Sequence, residues 1–421
     1  MVASTDIKFY VHTNNNAPQL QNAYGSMINV LNACLVDGIQ IGSISSLTAS
    51  GKTVTATFSS AHNLMQYQVI KIAGAAQAEF NGEHRVLTAP NAQTITFELA
   101  AVPSVTAATG TITASLPPLG WEKPFSSTNA NGGGKAAYRS KNLLLASRPF
   151  LRVVDELDPA YTATYAKFAK VGIVEDMSDI NTMLGAQAPY DSTNPDQNWV
   201  GSTGGTAATT FNGWAKWYYA KSSDAPVATP DSANAAAGVR NYILIGTDSW
   251  FYVLPATITN SFNKMCYGFG NFQSLLAVDT ASTFLSSTYD YKNVGAAQYI
   301  ADTVAATKGN QVSLLLQRKY DLSAAPNTAR VCTLAINSYA QTTTGAESSA
   351  VSYQGVIPFT PVVIYETGSV VRGVLPNLHW LFQQKPFTDL QKFSKDGSAF
   401  VAVTVASATL SGQVVFNLGK L

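Results

Sequence analysis

Between Ser43 and Ser115 polar and apolar residues alternate in short runs separated by turn chemistry. In Thr53–Phe58 the apolar positions Val54, Ala56 and Phe58 share one face. Gln68–Ile72 and Thr94–Leu99 repeat the pattern, and a period of two is that of half-buried strands. Ser50-Gly51-Lys52, Gly74-Ala75-Ala76, Asn81-Gly82 and Pro90-Asn91 supply the turns between them. The stretch predicts a small β-sandwich or barrel-like module at 43–115, set into a larger body formed by 1–42 and 116–421. No carboxylate, thiol or nucleophile cluster lies within it.

In the body, Ile7, Phe9 and Val11 mark a short strand. From Pro18 to Leu35 the apolar residues Leu20, Met27, Leu31, Cys34 and Leu35 recur at helical spacings, which predicts an amphipathic helix ending at Asp37-Gly38. Strands are predicted at Phe150–Asp155, with Lys167–Asp176 as its partner, and at Val312–Lys319, Arg330–Ile336, Val362–Tyr365, Phe400–Val405 and Gln413–Phe416. Asn241–Ile245 and Trp250–Leu254 flank Gly246-Thr247-Asp248, the best hairpin signal in the chain. Beyond residue 40 the main helix candidate is Ala296–Ala306. Ala186–Thr210 and Lys221–Gly238 read as long polar loops, and loops of that length tend to be functional. The fold class is therefore mainly β, with few helices, and the body is a candidate for two lobes split near 260.

Composition narrows the function classes. Charged residues make up 12% of the 421, against roughly 25% in an average soluble domain, while 46% are hydrophobic. With 26 basic and 25 acidic side chains, the net charge of +1 gives no electrostatic reason to expect nucleic acid as a partner. Three widely spaced cysteines, Cys34, Cys266 and Cys332, argue against a disulfide framework and for buried thiols. No signal-peptide pattern opens the chain, and no apolar run approaches the roughly 20 residues of a membrane helix, so membrane insertion is not expected.

The module carries a resemblance. Ala61-His62-Asn63-Leu64, Gln68–Ala75, Phe80-Asn81-Gly82-Glu83 and Gln93–Phe97 resemble a small, Ig-like β domain that recurs in phage virion proteins. Further stretches, in order, resemble one family of tailed-phage virion structural proteins. They are Ala17–Leu20, Gly25–Gly38, Gly120–Phe125, Lys135–Ser140, Leu151–Asp155, Glu175–Ile180 and Val371–Leu378. The chain departs from that pattern at 129–134 and at 186–238. The resemblance implies a virion structural component, assembled in the host cytoplasm and sited in the tail or baseplate. It would act through oligomeric assembly with copies of itself and other virion proteins. A receptor-binding adhesin that contacts host surface glycan, and a capsid decoration or neck protein, are the alternatives.

Catalytic chemistry finds little support. Gly51-Lys52-Thr53 lacks the upstream glycine of a phosphate-binding loop, and Gly268-Phe269-Gly270 lacks the third glycine of a dinucleotide fingerprint. The carboxylates Asp155, Glu156 and Asp158, and Glu175, Asp176 and Asp179, could hydrolyse glycosides if paired across a sugar. Against that stands solvation of strand ends, or pairing with Arg139 and Arg152. His62 and His84 fit turn support better than a metal site, because no further ligand completes a metal-binding spacing. No catalytic residue, cofactor or metal is expected, and the chain is not read as an enzyme. The candidate binding residues are the aromatics Trp199, Trp214, Trp217 and Tyr218, which could stack on sugar, anchor a protein interface or fill the core.

Overall fold

The computed structural model describes residues 2–158, 162–190, 215–224, 233–290, 300–301, 313–324, 328–331, 358–366, 370–381, 385–406 and 411–421. The protein is mainly β, as the alternation predicts, and its described strands form three antiparallel sheets.

The largest sheet runs in space through Lys8–Val11, Tyr242–Gly246, Trp250–Pro255, Tyr267–Asn271, Thr283–Ser286 and Leu314–Leu316. It continues through Thr328–Val331, Phe359–Glu366, Val370–Leu381, Ser411–Lys420, Ser398–Ala406 and Lys392–Lys395. It curls into a nearly closed barrel. Lys264 bridges Ala256 on one side and Val405 on the other, and the rings of Tyr252 and Phe416 meet across the interior at 5.2 Å. Phe9, Val11, Ile243, Ile245, Leu254, Val403 and Val414 fill the inside. The predicted hairpin is present, with Leu244 opposite Val253. A lobe boundary near 260 would cut this sheet, because Trp250–Pro255 pairs with Tyr267–Asn271 across it.

The second sheet orders Ile300–Ala301, Thr288–Asp290, Ala215–Ala220, Lys167–Met177, Phe150–Glu156, Gly133–Ser140 and Trp121–Thr128, with Met183–Ala188 beside Lys167–Met177. Phe150–Glu156 and Lys167–Met177 pair as predicted. The chain around 129–134 turns a hairpin between Trp121–Thr128 and Gly133–Ser140. The helix expected over Ala296–Ala306 is not found in its described part, where Ile300–Ala301 is a strand; the rest lies outside the described residues. Most of the two predicted polar loops also lies outside them, although Met183–Ala188 at the edge of one is a strand.

The third sheet holds the six strands between Ile39 and Leu116, which pair with one another in the order Gly82–Arg85, Val69–Ala75, Gly110–Leu116, Ile39–Ser50, Thr53–Phe58, Thr94–Glu98. A bridge between Thr88 and Thr96 ties the segment after Gly82–Arg85 to the strand at the opposite edge. Val54, Ala56 and Phe58 are buried on one face, and their core is continuous with Tyr10, Trp121 and Trp217 of the body. A buried polar knot fixes this unit to the body. Gln68 donates its amide to the Phe9 carbonyl at 3.0 Å and to Asn14 Oδ1 at 2.9 Å, and its Oε1 accepts the Met65 N–H at 2.8 Å. The Arg85 guanidinium donates to the carbonyls of Tyr67 and Ile7 at 2.8 and 3.1 Å.

The predicted long helix is short. Ser26–Leu31 is α-helical and Asn32–Asp37 continues as a π turn. Gly25, at φ +87, stops it on the N-terminal side, so the apolar residue Leu20 sits outside the helix, in a bridge to Arg240. Gly25 also meets Gly133 there. A Cβ on Gly133, itself at φ +73, would lie 1.9 Å from the Asp155 carbonyl oxygen. Gly133→Ala is therefore expected to lose about 1–3 kcal/mol in urea unfolding, because the Asp155 carbonyl must shift and alanine must take a left-handed φ. A loss below about 0.5 kcal/mol would show that the contact is not tight.

Candidate functional site

Of the candidate aromatics, the two described ones, Trp217 and Tyr218, are buried. Trp217 is fully buried: it stacks on Tyr267 at 5.9 Å, meets Phe251 edge-on at 6.1 Å and donates its indole N–H to the Ser286 carbonyl at 2.9 Å. Tyr218, on the opposite face of Ala215–Ala220, packs against Phe168 at 5.3 Å with the Lys221 ammonium 4.7 Å from its ring. The physical reason is that this strand is covered on both faces. Of the three roles the sequence leaves open for these aromatics, both side chains have the packing of a core. Trp199 and Trp214 lie outside the described residues.

The carboxylates are scattered into separate structural tasks. Asp155 is fully buried, and its Oδ2 accepts the N–H groups of Met27 at 3.1 Å and Ile28 at 3.3 Å, which caps the short helix from another element. Its Oδ1 accepts the Tyr219 hydroxyl at 2.6 Å. Burial pushes the carboxyl up from 3.8 to about 6, with these hydrogen bonds pulling the other way. Asp158 pairs with Lys170 at 2.7 Å, and burial pushes that ammonium down to about 8 despite its partner. Glu175 takes both Nε and Nη2 of Arg318, at 2.7 and 2.6 Å. Asp179 closes a turn onto Thr182. Of the expected arginine partners, Arg139 pairs with Glu122 at 2.8 Å, and Arg152 donates to the Ile180 carbonyl at 2.8 Å with the Glu156 charge favouring its own.

His62 supports a turn. Its Nδ1 accepts the Leu64 N–H at 2.8 Å, which leaves Nε2 as the donor to the Asn91 carbonyl at 3.1 Å. His84 stacks on Phe97 at 4.3 Å. Cys34 and Cys266 are buried, and burial pushes both thiols up, away from reactivity; Cys332 lies outside the described residues.

Three features that the sequence did not single out remain. The first is a buried charge cluster, in which Arg372 donates to Asp279 through Nε and Nη2 at 2.8 and 2.9 Å and to Glu366 through Nη1 at 2.6 Å. Exposed loops carrying Leu275, Val278, Tyr320 and Leu322 surround it. The second is an aromatic layer outside the barrel. Phe387 stacks on Phe393 at 4.6 Å and Phe393 on Phe400 at 5.3 Å, with the Lys395 ammonium 4.7 Å from the ring of Phe359. The third is a cleft of about 420 Å³ between the small sheet and the barrel edge, lined by Leu64–Gln66, Thr88–Pro90 and Lys392. The charge cluster and the cleft join residues far apart in sequence, which leaves no spacing to read.

Comparison with known proteins adds little to this geometry. The sequence matches no protein family profile and no curated protein. Among solved structures, the phage phi92 endosialidase is similar at 10% identity, over 91% of this chain and 52% of that one, with a TM-score of 0.16. The chain thus spans about half the length of that protein, and a likeness of this degree carries no argument about function.

Proposed function

We propose that the chain is a structural component of a tailed-phage virion, in the tail or baseplate, working through oligomeric assembly and protein–protein contacts. The observation that carries this reading is the division of labour among its side chains. Asp155, Asp158, Glu175, Asp279 and Glu366 all tie elements of the scaffold together, while exposed loops present leucine, valine and tyrosine. Such loops gain by being covered, and apolar exposure of this kind marks protein contact rather than substrate chemistry. The ordered stretches from Ala17 to Leu378 that resemble tailed-phage virion proteins supply the setting. On this reading the protein is not an enzyme, and its partners are copies of itself and other virion proteins.

The adhesin is the second reading, favoured by the aromatic layer around Phe387 and Phe393, which offers rings and a nearby cation to a host surface glycan. Gold-labelled antibody against the protein, applied to intact particles of the phage that encodes it, tests the position. Label at the distal tail is the expected result, whereas label on the head or neck would replace the proposal with a decoration or connector role. Absence of the chain from particle proteomics would overturn the virion reading altogether.

A further inference from the structure

Three segments distant in sequence are pinned to one guanidinium. Arg372 holds Asp279 of the loop 275–281 and Glu366 of the neighbouring strand, and its Nη1 also donates to the Arg318 carbonyl at 3.1 Å. The Leu275 N–H donates to the Arg372 carbonyl at 3.0 Å, and the Tyr320 N–H donates to Glu366 at 3.0 Å. A fourth segment joins through Ser147, whose hydroxyl donates to Gln317 at 3.0 Å. Rigid backbone anchors therefore hold a set of apolar side chains that face outward.

Those side chains are unusually open. Leu144 is 94% exposed, Val278 79%, Leu143 77% and Leu275 58%, with Tyr320, Leu322 and Val371 exposed by two-fifths to one-half. Together they present on the order of 800 Å², the area that one partner contributes to a standard protein–protein interface. The charges beneath them are neutralised within the chain, Arg372 by Asp279 and Glu366 and Arg318 by Glu175, and the exposed Asp321 within the patch lies in the field of Lys319. A charged patch needs a partner of opposite sign and repels its own copy. A neutral apolar patch is complementary to itself, and with a chain net charge of +1 two copies meet little general repulsion.

The geometry points to this surface, Leu143–Leu144 with Leu275, Val278, Tyr320, Leu322 and Val371, as the place where a second copy of this chain docks, face to face about a two-fold axis. The assignment rests on the oligomeric reading above and gives it a location. In a two-fold contact the same patch serves both partners, so each substitution acts twice.

The test is the mass of the purified full-length chain by sedimentation, from about 1 to 100 µM, a span that brackets weak to moderate self-association. Wild type should sediment as a dimer or a larger even-numbered assembly at the upper end. Leu144→Asp combined with Val278→Asp should remain monomeric throughout, with a rise of at least about tenfold in apparent dissociation constant. Both side chains are exposed, so the thermal midpoint of the variant should stay within about 2 °C of wild type. A monomeric wild type at 100 µM, or a double variant with wild-type mass, overturns the assignment. Neither result bears on whether the chain is present in particles, which the proteomic experiment decides independently.

Discussion

Arg372→Met should lower the stability of the protein by about 3–5 kcal/mol, the cost of leaving a buried charge without its partner. Both carboxylates that face the guanidinium are themselves buried, so neither can turn to water when it is lost. The loss is measurable as a fall in the urea midpoint at pH 7 with unchanged slope. Its pH dependence separates this cause from simple loss of packing. In the wild type, burial raises the Asp279 carboxyl, but Arg372, Ser274 and the Ala281 N–H outweigh it and leave it below its ordinary 3.8. Its contribution is thus present above that value and lost as pH falls. Without Arg372 the sign reverses: burial, the largest influence on Asp279, is then opposed only by the Ser274 and Ala281 hydrogen bonds, and the variant becomes less stable as pH rises from about 4. A variant whose deficit is constant between pH 4 and pH 7 would exclude an electrostatic role for the cluster. Replacing all three residues by Met and Leu should recover part of the loss, since an apolar filling removes the stranded charges.

The second large effect concerns Asp155. Its folded value of about 6 lies above its ordinary 3.8, so the folded chain binds the proton more tightly than the unfolded chain does. Its stabilising contribution is complete below about pH 4 and falls away as pH rises through about 6. The loss amounts to about 3 kcal/mol, since a tenfold change in proton affinity is worth about 1.36 kcal/mol. Asp155→Asn removes the titration while keeping an acceptor for the Met27 and Ile28 N–H groups. The stability of this variant relative to wild type should therefore climb by about 3 kcal/mol between pH 4 and pH 7. A flat difference across that window would place the carboxyl at an ordinary value. Asp155→Leu instead orphans two backbone N–H groups, while the Tyr219 hydroxyl keeps the Ala23 carbonyl as an acceptor at 3.2 Å. At about 1–3 kcal/mol for each unsatisfied group, it should cost at least about 2 kcal/mol at every pH.

What the sequence discloses follows from the range of its signals. Alternation in Thr53–Phe58 and the turn after Ile245 are local, and the structure has both the strand and the hairpin. The helix predicted over 18–35 is cut short because Leu20 keeps the helical period while Gly25 breaks the backbone. Aromatic residues at Trp217 and Tyr218 read as core first and as surface second, since a strand covered on both faces has no polar side to betray its direction. The carboxylates are visible as clusters in sequence, but their partners, Tyr219 for Asp155 and Arg318 for Glu175, lie 64 and 143 residues away. The apolar loops around Arg372 give no signal, because no periodic pattern distinguishes an exposed valine in a loop from a buried one.

The way in which the six-stranded sheet joins the body has a consequence for inheritance. Ile39 and Leu116, where the chain enters and leaves it, are direct partners in one antiparallel pair. To the body, the whole stretch between them is the loop of a single hairpin, so a recombination event could add, delete or trade the unit without rethreading a strand. What such an exchange must preserve is a short docking code: an acceptor and donor opposite Asn14, supplied here by Gln68, and a cation for the Ile7 carbonyl, supplied here by Arg85. A foreign module would inherit the seat by carrying those two side chains at the same places together with an apolar face that meets Tyr10 and Trp121.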